Sequence, residues 1–174
     1  MPLATTHLTL LECAPAHLIA MLDTPEKFED VVGLPIASGL REFYTSGEVS
    51  AGWLDALRKS TRTNPWQHGF FIVDREQNRI VGTAGFKGPP DSDGTVEIAY
   101  GVAPEYQGRG YATEAAKALV EFALADDKVK IVRAHTLPEP NASTRVLTKN
   151  GFRHLGEVID PEDGRVWRWE LPRT

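Results

Sequence analysis

The chain contains a single cysteine, Cys13, which excludes an internal disulfide framework and fits a reducing, cytoplasmic setting. As a nucleophile Cys13 is a weak candidate. It ends a strand-like segment, where a small buried apolar side chain is the ordinary role. Excess positive charge is also missing: Lys and Arg number 19 against 24 Asp and Glu, for a net charge of −5. The basic face of a nucleic-acid binder is therefore not expected, whereas a cationic or amine-bearing partner suits a mildly acidic chain. No apolar run approaches the about 18 residues of a membrane-spanning helix. Residues 1–6 carry no charged segment leading into an apolar one, so no secretory leader is expected. His7, His17, His68 and His154 stand apart from Cys, Asp and Glu at ligand spacing, and no metal site is expected. Repeats, low-complexity tracts and linkers are lacking as well. What remains is 174 residues with 41% apolar content, enough for one domain spanning 1–174 with its own core.

Hydrophobic periodicity orders that domain. Thr6, Leu8 and Leu10 alternate and predict an opening strand that ends near Glu12. Residues 15–62 read mostly as helix, clearest from Val49 to Arg62, with breaks at Pro25, Gly33, Pro35, Gly39 and Gly47. GFFIVD (69–74) and IVGTAGF (80–86) form a hairpin around Glu76-Gln77-Asn78. A Pro/Gly/Asp loop (87–94) leads to a strand, TVEIAYGV (95–102). Ala112, Ala115, Ala116, Leu119, Val120 and Ala123 then make one apolar helical stripe. KIVRAHT (130–136) is the next strand, followed by a short helix from Asn141 to Asn150 that Gly151 stops. Residues 152–158 and 165–171 close the chain as two strands. One strand, helices, three strands, helix, strand, helix and two strands predict a mixed-sheet α/β domain.

The segment VAPEYQGRGYATEAA (102–116) carries the most chemistry. A strand ends at Val102, and Gln107-Gly108-Arg109-Gly110-Tyr111-Ala112 opens onto a helix. Glycines let the backbone turn tightly and approach a ligand. The first helical turn leaves N–H groups unpaired and favours an anion such as a pyrophosphate, to which Arg109 adds a cation. A plain tight turn would read the same. A P-loop would need Lys-Ser/Thr after the last glycine, where Tyr111-Ala112 stands. A dinucleotide fingerprint would need glycine at Thr113 and an earlier place in the chain.

Gln107-x-x-Gly110-x-Ala112 resembles the Gln/Arg-x-x-Gly-x-Gly/Ala motif of the GNAT acetyltransferases, with strand before and helix after. The string VAPEYQGRGYATEA is particularly similar to the branch containing the RimJ/RimL-type protein N-terminal acetyltransferases. A second block, Asn141-Ala-Ser143-x-x-Val-Leu-x-Lys149-x-Gly151-Phe152, resembles that branch after its fifth strand. The likeness spans about residues 5 to 171 and is thinnest before Gly69. It implies a GNAT fold, with a mixed, mostly antiparallel central sheet flanked by helices. It also implies a splay between the fourth and fifth strands, the one ending at Val102 and the one from Lys130. Acetyl-CoA, as cosubstrate, would lie in that splay. Backbone N–H groups of Gln107, Gly108, Arg109, Gly110, Tyr111 and Ala112, with Thr113 in the same turn, would take the pyrophosphate. Backbone near Ala99, Tyr100, Gly101 and Val102 would pair with the pantetheine amides.

Acetyl transfer to an amine requires removing a proton from nitrogen and stabilising a leaving thiolate. Neutralising an alkylamine at pH 7 costs on the order of 4 kcal/mol, which a positioned carboxylate supplies by acting as base. Glu97 shares a strand face with Ala99 and Gly101, so open space is expected in front of it. Several GNAT enzymes carry the base at this strand position. The alternative is a solvent-facing glutamate without a role. Ser143 matches the serine that RimL-like members place at the leaving thiolate, or else caps its helix. Asn141 either bonds pantetheine or serves as the helix cap, and both roles are compatible.

Weaker candidates surround these. His135 follows the alternation of its strand toward the cleft and reads first as a hydrogen-bonded structural histidine. Tyr106 either shields the cofactor or packs its loop. Trp53 and Trp66 flank the region where this branch builds its acceptor pocket, and Trp167 with Trp169 reads as packing. The resemblance implies direct attack by an amine, either a protein N-terminus or a small molecule. Its acceptor determinants would lie in residues 24–66 and the Asp160 loop. The other class is a CoA-binding domain without catalysis. A homodimer is compatible with either.

Overall fold

The computed structural model describes residues 2–45 and 50–174. The expected helix start at Val49 and the break at Gly47 lie outside the described residues. The chain opens with β1 (Leu3–Ala4) and β2 (Leu8–Glu12). It continues through α1 (Pro15–Asp23), a 3-10 turn (Pro25–Lys27), α2 (Phe28–Val32), α3 (Leu40–Thr45), α4 (Ala51–Lys59) and α5 (Pro65–His68). Then come β3 (Phe70–Asp74), β4 (Arg79–Phe86), β5 (Thr95–Val102), α6 (Tyr111–Leu124), β6 (Ile131–Thr136), α7 (Ala142–Lys149), β7 (Arg153–Asp160) and β8 (Gly164–Pro172).

The strands form one sheet in the order β1-β2-β3-β4-β5-β6-β8-β7. Every pairing is antiparallel except β5 with β6. That parallel ladder joins only Thr95–Glu97 to Ile131–Arg133. Both strands continue beyond it, so they diverge from Glu97 onward and open the expected V. On its other edge β5 stays paired to β4 through Val102, which keeps one arm of the V rigid.

Helices cover both faces. The buried stripe Ala115, Ala116, Leu119, Val120 and Ala123 docks α6 on the sheet, where Phe122 meets Phe70, Phe86 and Trp66 at 5.2–5.6 Å between ring centroids. On the opposite face Phe71 packs edge-on to Phe28 of α2 at 5.7 Å. All five residues of β3 are buried, as a central strand between two helical layers requires. Cys13 is fully buried and burial pushes its thiol up, in keeping with a core residue.

Three features depart from the sequence expectation. The two-residue β1 pairs with Leu10 and Thr9, too short to give a periodic signal. A single turn, α5, follows the helical region that periodicity ended at Arg62. Asn64 caps it by accepting from the Trp66 N–H, Pro65 starts it, and Gly69 at φ +71° ends it. The closing strands pair as expected, but β8 returns to lie between β6 and β7, leaving β7 at the edge.

Candidate active site

The loop after β5 is built for close approach of a ligand to its backbone. Gly108 and Gly110 both take left-handed φ, +78° and +83°, which non-glycine residues adopt only with strain. They bracket Arg109 and turn the chain into α6. Gln107 donates its side-chain Nε2 to the Val102 carbonyl at 3.0 Å, tying the loop to the strand. The first α-helical bond runs from Glu114 N–H to the Gly110 carbonyl. Among the described residues, the N–H groups from Gly108 through Thr113 make no backbone hydrogen bond. That fan of donors at a helix start is an anion site in geometry and dipole. Arg109 does not reach into the loop: its guanidinium stacks 4.9 Å over the Tyr106 ring and donates to the Glu105 carbonyl. Tyr106 is buried with its hydroxyl on Gln77, so its side chain packs the loop. Tyr111 likewise runs inward to donate to the buried Asp74 at 2.8 Å, leaving only its backbone at the loop.

Across the V stands the start of α7. Asn141 is its cap: Oδ1 accepts from the Thr144 N–H at 2.9 Å, and Thr144 Oγ1 accepts from the Asn141 N–H at 3.0 Å. Ser143 is thereby spared that duty. Its Oγ lies 3.0 Å from the Tyr100 hydroxyl, which comes from the β5 face opposite Glu97. Burial pushes the Tyr100 phenol up, against a smaller opposite effect of its bond to Ser143. The pair is therefore neutral and retains hydroxyl protons to donate.

On the other face, Glu97 sits where the parallel ladder ends, opposite Arg133. The open space expected before it is partly filled. Lys87 Nζ lies 3.1 Å and His135 Nδ1 3.2 Å from the same oxygen, Oε2. Lys87 also reaches Asp163 in the β7–β8 turn at 3.1 Å. Burial alone would lower the Lys87 ammonium's pKa, but the charges and hydrogen bonds of Glu97 and Asp163 outweigh it and raise it. Beside this cluster, along Ala99 and Gly101, opens a cleft of about 700 Å³. Trp53 and Leu57 of α4, His68, Thr83, Lys87 and Asp163 line it. Trp53 donates its indole N–H to the Gln67 carbonyl, whereas Trp66 belongs to the aromatic packing around Phe122.

The sequence brought Glu97, Ser143 and the glycine loop to notice, and the fold gathers all three around the V. It gave no weight to Lys87, to the Tyr100 side chain or to His68. His68 is buried, burial lowers its pKa, and its Nδ1 accepts from the Asn64 N–H at 3.2 Å. It faces the cleft as a neutral imidazole. Among the described residues no His/Cys/Asp/Glu cluster is arranged to hold a metal, and no helix is long and apolar enough to cross a membrane.

Comparison with known proteins identifies the family and the fold. Residues 14–153 match the acetyltransferase (GNAT) domain. The uncharacterized N-acetyltransferase YjdG of Bacillus subtilis (strain 168) is 34% identical over 83 residues, covering 48% of this chain and 49% of YjdG. The uncharacterized N-acetyltransferase p20 of Bacillus licheniformis is 27% identical over 96 residues, 55% of this chain and 54% of p20. The chain thus spans about half the length of the curated relatives it matches. Among solved structures, RimL, a ribosomal L7/L12 alpha-N-protein acetyltransferase in complex with coenzyme A, superposes with a TM-score of 0.65. It is 17% identical, with 99% of this chain and 98% of RimL covered. The ribosomal-protein-S5-alanine acetyltransferase of Vibrio fischeri gives a TM-score of 0.63 at 16% identity, over 99% and 96%. At such identities the likeness establishes the fold.

Proposed function

The chain belongs to the GNAT acetyltransferase family, and from that premise we propose that it moves the acetyl group of acetyl-CoA to a primary amine by direct attack in a ternary complex. The observation that carries this reading is the layout of β5. Its end feeds the glycine loop, one face presents Glu97, and the other brings Tyr100 against Ser143. A pyrophosphate on the N–H groups of Gly108–Ala112 directs the pantetheine arm down the unpaired edge of β5, past Ala99–Val102. The Gln107 N–H, expected to join them, is already given to the Pro104 carbonyl at 3.4 Å. The amide of Asn141, whose oxygen is used in capping, keeps its NH₂ for the same arm.

In the reaction, Glu97 takes a proton from the acceptor ammonium, and the freed nitrogen attacks the thioester carbonyl. The carbon–sulfur bond then breaks, and the nitrogen gives up its second proton as the amide forms. The leaving thiolate takes up a proton through the Ser143 hydroxyl, itself bonded to Tyr100. Base and donor stand on opposite faces of one strand, so the acceptor enters from the cleft and CoA from the α6–α7 side. RimL and the S5 enzyme are described as acting on ribosomal proteins. An exposed protein N-terminus is therefore one acceptor to test here, beside small amines.

One observation favours a CoA-binding domain without turnover: the Lys87 ammonium already occupies Glu97 Oε2. A single assay separates the readings. The protein is mixed with acetyl-CoA and a panel of free-N-terminus peptides, polyamines and aminoglycosides, while thiol release and acetylated product mass are followed. Turnover with a member of the panel is expected. Tight acetyl-CoA binding with no product from any amine would establish the non-catalytic reading, and absence of binding would reject both.

A further inference from the structure

Resting on the reading of Glu97 as the base, we infer that His135 is the positioning residue for Glu97, held in one tautomer by Arg168. The sheet puts the three in line. Glu97 pairs in register with Arg133 on β6, so Arg133 and His135 share its face. On β8, Glu170 stands opposite Arg133 and Arg168 opposite His135. Arg133 is committed to Glu170, with Nε and Nη2 at 2.7 and 2.6 Å from Oε2. His135 is left between Arg168 and Glu97.

Arg168 Nε donates to His135 Nε2 at 3.1 Å. A guanidinium has donors only, so Nε2 must be the acceptor and the neutral imidazole carries its proton on Nδ1. That Nδ1 is buried, and the side chain is 5% exposed. It lies 3.2 Å from Glu97 Oε2 but off the line of a good hydrogen bond, and it has no hydrogen-bond partner among the described residues, the Asp160 carboxylate acting on the ring only through its charge. A small rotation of the carboxylate satisfies it. Glu97 Oε2 is then fixed by His135 from β6 and by Lys87 from the end of β4. Oε1, which accepts no hydrogen bond among the described residues, is left to take the acceptor's proton. With both ring nitrogens committed, His135 cannot itself be the base. It fixes which carboxylate oxygen works and how it points.

Two readouts test this on the full chain. Nitrogen-15 NMR of histidine-labelled protein at neutral pH should show His135 as the Nδ1-protonated neutral tautomer. Arg168→Gln should move it toward the Nε2-protonated form. With the fastest amine of the panel, His135→Ala should lower kcat by about 10- to 100-fold, the scale of a misplaced catalytic group, with acetyl-CoA affinity unchanged. His135→Asn, whose amide N–H stands near the Nδ1 position, should recover most of that loss. In a Glu97→Gln background His135→Ala should add nothing, because its effect runs through Glu97. An Nε2-protonated or doubly protonated His135, full turnover in His135→Ala, or a loss that adds to that of Glu97→Gln overturns the inference. Full turnover in Glu97→Gln instead sinks the base reading, and the positioning role with it. The NMR signature would still report the His135–Arg168 bond, so the two failures are distinguishable.

Discussion

The Tyr100 hydroxyl lies 3.0 Å from Ser143 Oγ, joining β5 to the first turn of α7 across the mouth of the V. Because Asn141 and Thr144 cap that helix between them, the Ser143 hydroxyl is free of the duty that would otherwise explain it. Ser143→Ala should lower kcat by about 10²-fold, the scale of one donor to developing charge, with acetyl-CoA affinity within a few-fold. Tyr100→Phe should do less, since Ser143 keeps its own proton. Rapid-quench turnover beside calorimetry measures both. Unchanged chemistry in Ser143→Ala would leave the pair a packing contact.

The glycine loop makes a second prediction. A Cβ on Gly110 would meet nothing within 4 Å, yet φ there is +83°. Gly110→Val therefore strains the turn by about 1–2 kcal/mol and sets a branched side chain where the pyrophosphate would approach. Acetyl-CoA affinity should fall at least about tenfold by calorimetry, the equivalent of about 1.4 kcal/mol of obstructed phosphate contact. Wild-type affinity would mean that the phosphates bind elsewhere.

Glu114 gives a stability test away from the site. It accepts from Thr5 Oγ1 at 2.7 Å and from the His7 N–H at 2.9 Å, which pins the β1–β2 turn to α6. Burial would raise its pKa, but the Thr5 and His7 hydrogen bonds outweigh it, and the carboxyl titrates below its ordinary range. A lowered folded pKa contributes stability above the unfolded value and loses it as pH falls through the folded one. Glu114→Gln should cost about 1 kcal/mol at neutral pH. The gap in Tm to wild type should close as pH drops below the usual glutamate range. A gap that ignores pH would make the contact a matter of shape alone.

Much of this was legible in the sequence because local signals agreed. TVEIAYGV alternates apolar and small or polar residues, and β5 runs over Thr95–Val102 as read. The α6 stripe and the Gly151 stop were equally plain, and Gly151 takes φ +82°. What stayed hidden depends on strand order. Lys87 follows β4 by one position, and only the β4–β5 register brings its ammonium to Glu97. His135 could be placed on the right face of its strand. That Arg168 stands opposite it follows from β8 inserting beside β6, which no local pattern announces. Tyr100 was read for its backbone, since alternation points its ring away from Glu97, and its bond to Ser143 joins residues 43 positions apart.

The central claim is that Glu97 takes the proton of the acceptor amine, and the pH–rate profile of Glu97→Gln tests it most directly. Gln keeps the size and hydrogen bonding of Glu but cannot accept a proton. Wild-type kcat/KM should rise with pH through the titration of the base. Near neutrality the variant should be slower by about 10²–10⁴-fold, the usual worth of general base catalysis. Its deficit should shrink as pH nears the amine's own pKa, where free amine is already present. A loss that stays constant across that range, or no loss at all, would contradict the claim.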